Sequence, residues 1–247
     1  GWKTNRCTLF LERFMLRYAN PARFFAFSGA LLPWTGTAAA LCLALGLWFG
    51  FSVPPDYQQG MTVTMMFIHV PADLMAEGAF AAIAIASIFS LVNRHPLADV
   101  AARTAAPFGA LFTALGLITG SLWGKPMWGT YWAWDARLTS FLLLLFLYLG
   151  YMALWNAIED ETKAARACAI LALVGAADLP IIYFSVEWWN TLHQGESIIS
   201  GKIASVYLTP LFLMMAGYGL LFVTLWFIRI RTAILERRAR SLMQSAA

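Results

Sequence analysis

The sequence predicts an all-α integral membrane protein with six transmembrane helices and both termini in the cytoplasm. Apolar residues make up 60% of the 247 residues and charged residues 12%, whereas a soluble domain has about 45–50% and 25%. The apolar residues form six blocks long enough to cross a bilayer, which takes about 20 residues per helix. Basic residues are distributed unequally between the two ends of these blocks. The chain is therefore expected to be a single membrane domain, residues 1–247, without a soluble lobe.

The six blocks span 28–51, 62–92, 104–121, 139–157, 165–184 and 206–229. Lipid offers the backbone no hydrogen-bond partners, so only helices and closed barrels cross it, and no block alternates as barrel strands do. The first block follows a basic stretch, as a signal peptide would. It is too long for one and contains Pro33 and Trp34, so we expect a retained span.

The segment before the first span, residues 1–27, is expected to lie on the cytoplasmic side. Arginines alternate with aromatic residues between Arg6 and Tyr18, which favours an amphipathic helix lying in the interface and ending at Asn20-Pro21.

The unequal distribution of Lys and Arg along the chain predicts its orientation in the membrane. Fourteen of the 17 fall in the N-terminal segment, in the 93–103 and 158–166 loops and at the C-terminus. The other side has only Lys125, Arg137 and Lys202. The positive-inside rule then places both termini of this multi-pass protein in the cytoplasm. The net charge of +4 is thus a membrane signal, and no nucleic-acid partner is expected.

Tryptophans gather on the expected outer side of the membrane. Three segments lie there: 52–61, the Trp-rich segment 122–138 and the loop 185–205. Six of the 11 tryptophans belong to the last two: Trp123, Trp128, Trp132, Trp134, Trp188 and Trp189. An ordinary interfacial belt of aromatic residues is one explanation. Because four rings fall within twelve residues, a surface for a planar ligand is the other.

The Trp-rich segment suggests how such a surface would be built. Trp128 and Trp132 are four residues apart, so they would share a face of a short helix on the membrane surface. Asp135 and Arg137 follow the aromatic run. Arg137 is suited to a bidentate contact with an anionic group such as a propionate; a mutual or helix-capping pair is the alternative.

Two of the three histidines, His69 and His193, lie in the outer half, and His95 lies in a cytoplasmic loop. Hydrogen-bonded packing is the ordinary role of such a residue. Neutral imidazoles are also good axial ligands of haem iron, and two complete its coordination. Zinc fits less well because it takes three or four protein ligands. Bis-histidine haem is therefore the sharper hypothesis.

The spans also contain three acids, Asp73, Glu77 and Asp178. A charge at the bilayer centre costs about 2.5–3.5 kcal/mol on insertion scales, so such groups usually face a partner or a cavity. Lining a ligand cavity, relaying a proton, meeting a partner helix and forming interhelical hydrogen bonds all remain open for them.

The run WGKPMWGTYWAWDARLTS resembles the "WWD" signature of the haem-handling proteins of cytochrome c maturation. DYQQG followed by IHVPA, and then LPIIYFSVEWWNTLHQG, resemble the haem exporter protein C (CcmC) branch over nearly the whole chain. The resemblance implies haem b as cofactor and His69 and His193 as its axial ligands. It implies that the Trp-rich segment contacts haem through six residues: Trp123, Trp128, Trp132, Trp134, Asp135 and Arg137.

The resemblance also implies a place in the bacterial inner membrane and several partners. They are a periplasmic haem chaperone (CcmE-like), two ABC transporter subunits (CcmA- and CcmB-like), a small single-span subunit (CcmD-like) and membrane lipid. The chain would deliver haem to the chaperone, with no catalytic residue of its own and no enzyme activity. Two other functions stay open. One is a haem ligase acting directly on apocytochrome, and the other is a non-haem scaffold whose tryptophans are anchors.

Overall fold

The computed structural model describes residues 20–93, 95, 97–193 and 203–246, and within them the chain is helical. The helices are α1 (Pro21–Ser52), α2 (Met66–Asn93), α3 (Ala98–Trp128), α4 (Ala136–Ala157), α5 (Glu161–Gly175), α6 (Asp178–Trp188) and α7 (Ser205–Ala246). A 3₁₀ helix, Met61–Met65, leads into α2. Taking that turn with α2, and α5 with α6, six helical units are long and apolar enough to cross a membrane. The predicted fold class, an all-helical chain with six spans, is confirmed.

The helices begin and end beyond the apolar blocks. Asn20 caps α1, since its side chain accepts a hydrogen bond from the Ala22 N–H at 2.9 Å, so the helix starts well before residue 28. Helix α3 continues past residue 121 to Trp128 and stops at Gly129, whose φ is 76°. Hydropathy marks where lipid ends, whereas a helix continues into the interface until a cap ends it. The expected amphipathic helix before Asn20 lies outside the described residues.

The fifth span is broken. Helices α5 and α6 are separated by a turn at Ala176 and Ala177, just before Pro180, which lacks a donor for the preceding turn. Asp178 starts α6 and is 5% exposed. Neither of its carboxyl oxygens has a hydrogen-bond partner within the described part of the chain.

Small residues let α2 and α3 approach closely. Ala72, Ala76 and Ala79 of α2 are fully buried, and a Cβ at Gly116 of α3 would overlap Asp73 of α2. This helix pair and the α1–α7 pair are the most extensive packings of the fold. Lipid tails are as apolar as side chains, so helices associate in a membrane through close packing and hydrogen bonds. Tyr148 of α4 adds such a bond, its hydroxyl donating to the Ala76 carbonyl at 2.6 Å.

Helix α1 packs mainly on α7, and few of its residues are buried. Its buried residues are Ser28, Ala39, Gly46 and Gly50. The two helices also meet at the end that carries both termini, where Arg231 donates to the Phe25 carbonyl at 2.8 Å. Because the number of spans is even, the start of α1 and the end of α7 lie at the same end of the bundle.

We expect Gly109→Ala to destabilise the bundle. A Cβ at Gly109 would overlap the Tyr148 ring, and overpacking of this kind costs about 1–3 kcal/mol. Thermal unfolding of the purified protein in detergent measures the change. Gly150→Ala is the matched control, because a Cβ there meets no atom within 4 Å. Equal melting temperatures for the two variants would contradict the role assigned to the α2–α3–α4 contact.

Candidate functional site

His69 lies in the first turn of α2 and reaches across to α3. Its Nδ1 is 3.1 Å from the Gly116 carbonyl oxygen and 3.3 Å from the Thr119 hydroxyl. Because a carbonyl only accepts, Nδ1 carries a proton and donates it to Gly116. The other nitrogen, Nε2, is 3.2 Å from Asp73 Oδ2. Both ring nitrogens of this buried histidine are therefore engaged.

Two glycines of α3 make this approach possible. A Cβ at Gly116 would overlap Asp73 Oδ1, and a Cβ at Gly120 would lie 2.8 Å from His69 Cε1. Sequence analysis missed both residues. The signal was present, since GLITGSLWG places glycines at every fourth position, the small-residue spacing that lets membrane helices approach.

His193 reaches the same place from the other half of the chain. It follows α6, and its ring lies 4.8 Å from that of Trp128, centroid to centroid. Its Nδ1 is buried and has no hydrogen-bond partner among the residues the structure describes. Burial, helped by the positive charge of Arg137, lowers the pKa of His193 to about 4. The imidazole is thus neutral at physiological pH and keeps a free electron pair.

Asp135 holds the start of α4 and the His193 loop together. One carboxyl oxygen caps α4 by accepting from the Leu138 N–H at 2.8 Å. The other accepts from the Leu192 N–H at 3.1 Å. The helix-capping alternative is therefore what the structure has for Asp135. Asp135 thereby fixes the position of Leu192, the neighbour of His193. Asp135 itself does not line the cavity described below.

The two histidines line one cavity. Its other polar lining includes Asp73, Trp132 and Arg137, and its volume is about 30 Å³, room for a few water molecules at most. Trp132 Nε1 is buried and, like His193 Nδ1, has no partner within the described ranges. Arg137 donates one hydrogen bond to the Ile182 carbonyl of α6 at 3.0 Å. It therefore also connects α4 to α6.

The tryptophans of segment 122–138 take different positions. Trp123 packs edge-on against His69 at 5.7 Å and donates from Nε1 to Gln59 Oε1 at 3.0 Å. Trp128 contacts His193, while Trp132 packs against Trp134 at 5.4 Å. Trp134 is 78% exposed. The histidines are therefore flanked by three of these rings, and the fourth faces outward.

The expected helix on the membrane surface is absent from this segment. Residues 122–128 are the last turns of α3, and the chain after Gly129 is irregular up to the α4 cap. Trp128 and Trp132 therefore do not share a helical face, because the left-handed Gly129 between them turns the chain. Lys125 donates to the Gly129 carbonyl at 2.9 Å, which secures that turn.

The remaining residues singled out by sequence lie elsewhere. His95 is in the loop between α2 and α3, at the opposite end of the bundle from His69, and its Nδ1 accepts from the Leu97 N–H at 3.3 Å. Trp188 stacks on Phe184 at 5.1 Å and, like Trp189, is more than half exposed. Arg137, Trp132, His69 and His193 are thus the predicted site residues that meet at one cavity.

Comparison with known proteins agrees with this architecture. The model of the family described as "Heme exporter protein C" matches residues 14–245. A protein of that name from Bradyrhizobium diazoefficiens is 53% identical over 236 residues, 94% of this chain and 90% of the relative. Those of Paracoccus denitrificans and Escherichia coli K12 are 48% and 47% identical, over 92% and 90% of this chain and 95% and 91% of their own length. With a family match across nearly its whole length and relatives this similar, the chain belongs to the haem exporter protein C family.

Proposed function

We propose that this protein holds haem b at the periplasmic face of the bacterial inner membrane and delivers it to a periplasmic haem chaperone. Its relatives carry the name of haem exporters, and membership of their family supports a role in haem transport for cytochrome c maturation. The observation that carries the finer proposal is the meeting of His69 and His193 at one cavity. Both would be axial ligands of the iron.

The side chains at this cavity fit haem chemically. Haem supplies an iron that accepts two axial nitrogens, together with two propionate carboxylates. His193 is neutral and has a buried nitrogen without a partner. Trp132 Nε1 is a buried donor without an acceptor, and Arg137 brings a positive charge to the same lining. Unpaired buried polar groups are costly, so a ligand that pairs with them is favoured.

The cavity must open before it holds a macrocycle, because about 30 Å³ is far too small for one. His69 is anchored on α3 by Gly116 and Thr119, whereas His193 follows α6 next to Leu192, whose N–H donates to Asp135. Asp73 must also release His69 Nε2 before that nitrogen binds iron.

In this proposal the protein binds and orients its cargo and breaks no covalent bond, because the reactive chemistry belongs to haem and to the receiving protein. It would act with CcmE-like, CcmA-like, CcmB-like and CcmD-like partners. Trp123 and Trp128 flank the two ligands. Trp134, with its ring outward, would be the surface that the chaperone meets.

Replacing either of the two proposed axial histidines should strongly weaken haem binding. We expect His69→Ala and His193→Ala each to lower haem occupancy at least about tenfold, as loss of an axial ligand should, read from the absorption spectrum of the purified protein. His95→Ala, at the opposite end of the bundle, is the control and should keep the parent spectrum. His193→Gly with added imidazole should regain haem, which separates ligand loss from misfolding. Parent-like spectra for both alanine variants would refute the ligand assignment.

Trp134→Ala should separate binding from delivery. Its exposed ring contacts neither histidine, so we expect unchanged haem occupancy but a several-fold lower yield of haem covalently attached to a co-expressed chaperone. Trp48→Ala is the matched control, since Trp48 is similarly exposed, 72%, on α1. A normal attachment yield in Trp134→Ala would remove this residue from the delivery surface.

The proposed orientation can be tested by labelling in a cysteine-free background. Tyr57, which is 90% exposed in the loop before α2, should as Tyr57→Cys react with a membrane-impermeant maleimide in intact spheroplasts. Ser245→Cys, in the last turn of α7, should react only after permeabilisation. The reverse pattern would invert the topology.

A further inference from the structure

A second cavity lies at the other end of the bundle, between α3, α4 and α7. Its volume is about 200 Å³, several times that of the histidine cavity. Arg103 from α3, Trp155 from α4 and Arg229, Arg237 and Arg240 from α7 are part of its lining. It lies near the start of α3 and the end of α4, the end that the charge distribution assigns to the cytoplasm, so haem ligation by His69 and His193 does not use it.

Three of the four arginines are neutralised by carboxylates. Arg237 pairs with Asp99 at 2.7 Å and with Glu161 at 3.4 Å. Arg240 also pairs with Glu161, at 3.2 Å, and Arg229 pairs with Glu236 at 3.7 Å. Four guanidinium groups thus share three carboxylates within the described part of the chain, which leaves one positive charge in excess.

The excess charge belongs to Arg103. Its guanidinium lies over the Trp155 ring, 5.0 Å from the ring centroid, and no carboxylate of the described residues lies within 4 Å of it. The ring fixes the position of the guanidinium by a cation–π contact. Since a ring supplies no hydrogen-bond acceptor in the guanidinium plane, the planar fork of Arg103 stays available for an anion.

A second donor lies beside Arg103. Trp155 is 5% exposed, and its buried Nε1 lies beside the Tyr151 hydroxyl but forms no hydrogen bond of good geometry with any described residue. A buried N–H without an acceptor costs free energy that a bound acceptor recovers. The cavity therefore combines an unpaired cation and an unpaired donor, and both are features of a site for an oxyanion.

We propose that this cavity binds the phosphate headgroup of an acidic phospholipid of the cytoplasmic leaflet. Its place at the membrane end of three helices suits a lipid, because basic pockets between helices on the cytoplasmic side receive acidic headgroups. Val100, Pro107 and Met152 add an apolar lining next to which an acyl chain can lie. The phosphate would accept hydrogen bonds from Arg103 and from Trp155 Nε1.

The test is lipid retention by the purified full-length protein, measured by native mass spectrometry. Phosphatidylglycerol should be retained several-fold better than phosphatidylcholine with the same acyl chains. Arg103→Gln should lower phosphatidylglycerol retention about tenfold, the size of one charged hydrogen bond. Trp155→Phe, which keeps a ring under Arg103 but removes the N–H, should lower it less. Arg166→Gln, an exposed arginine of α5 outside the cavity, makes the same charge change and should have no effect.

Three outcomes would overturn the proposal. One is retention in Arg103→Gln equal to that of the parent, with its melting temperature unchanged. Another is an equal loss in Arg166→Gln, which marks general surface charge. The third is displacement of the lipid by millimolar inorganic phosphate, which assigns the site to a soluble anion. Haem occupancy should be unchanged in Arg103→Gln and Trp155→Phe, so the result is independent of the haem-binding proposal.

Discussion

The close approach of α2 to α3 is the contact on which the rest of this structure depends. In lipid the two helices gain little from burying apolar surface, so small residues and direct hydrogen bonds must hold them together. His69 contributes such a bond when it donates from Nδ1 to the Gly116 carbonyl. The same bond orients the imidazole and leaves Nε2 as the nitrogen that faces Asp73. The same contact therefore joins the two helices and positions the candidate ligand His69. A side chain at Gly116 would disturb both.

The two candidate ligands are positioned by different elements of the fold. His69 makes two contacts with the packed helix α3, whereas His193 follows α6 beside Leu192, whose N–H donates to Asp135. His193 Nδ1 and Trp132 Nε1 are buried without partners among the described residues. Each such group costs about 1–3 kcal/mol. A bound molecule that pairs with these two nitrogens would recover that free energy.

The six spans were predictable from the sequence, because hydropathy does not depend on side-chain geometry. That His69 and His193 belong to one site was also predictable, because the sequence has only three histidines. Helix ends were less predictable. The apolar block stops at residue 121, but α3 continues to the left-handed Gly129, which turns the expected surface helix into the end of a span. The contacts of His69 with Gly116 and Thr119 were not predicted either, because they depend on the rotation of α3 about its axis. Gly116, Gly120 and Gly124 nevertheless marked the face that would be approached.

Asp135 illustrates how evolution is constrained when one side chain serves two neighbours. Its two carboxyl oxygens accept from Leu138 and Leu192, so it caps a helix and anchors a loop at once. Asparagine is a good cap but has a single acceptor oxygen, so it would keep one bond and lose the other. Glutamate keeps two acceptors but carries them one methylene further from the backbone. No conservative replacement preserves both bonds, and selection on either one therefore protects the other.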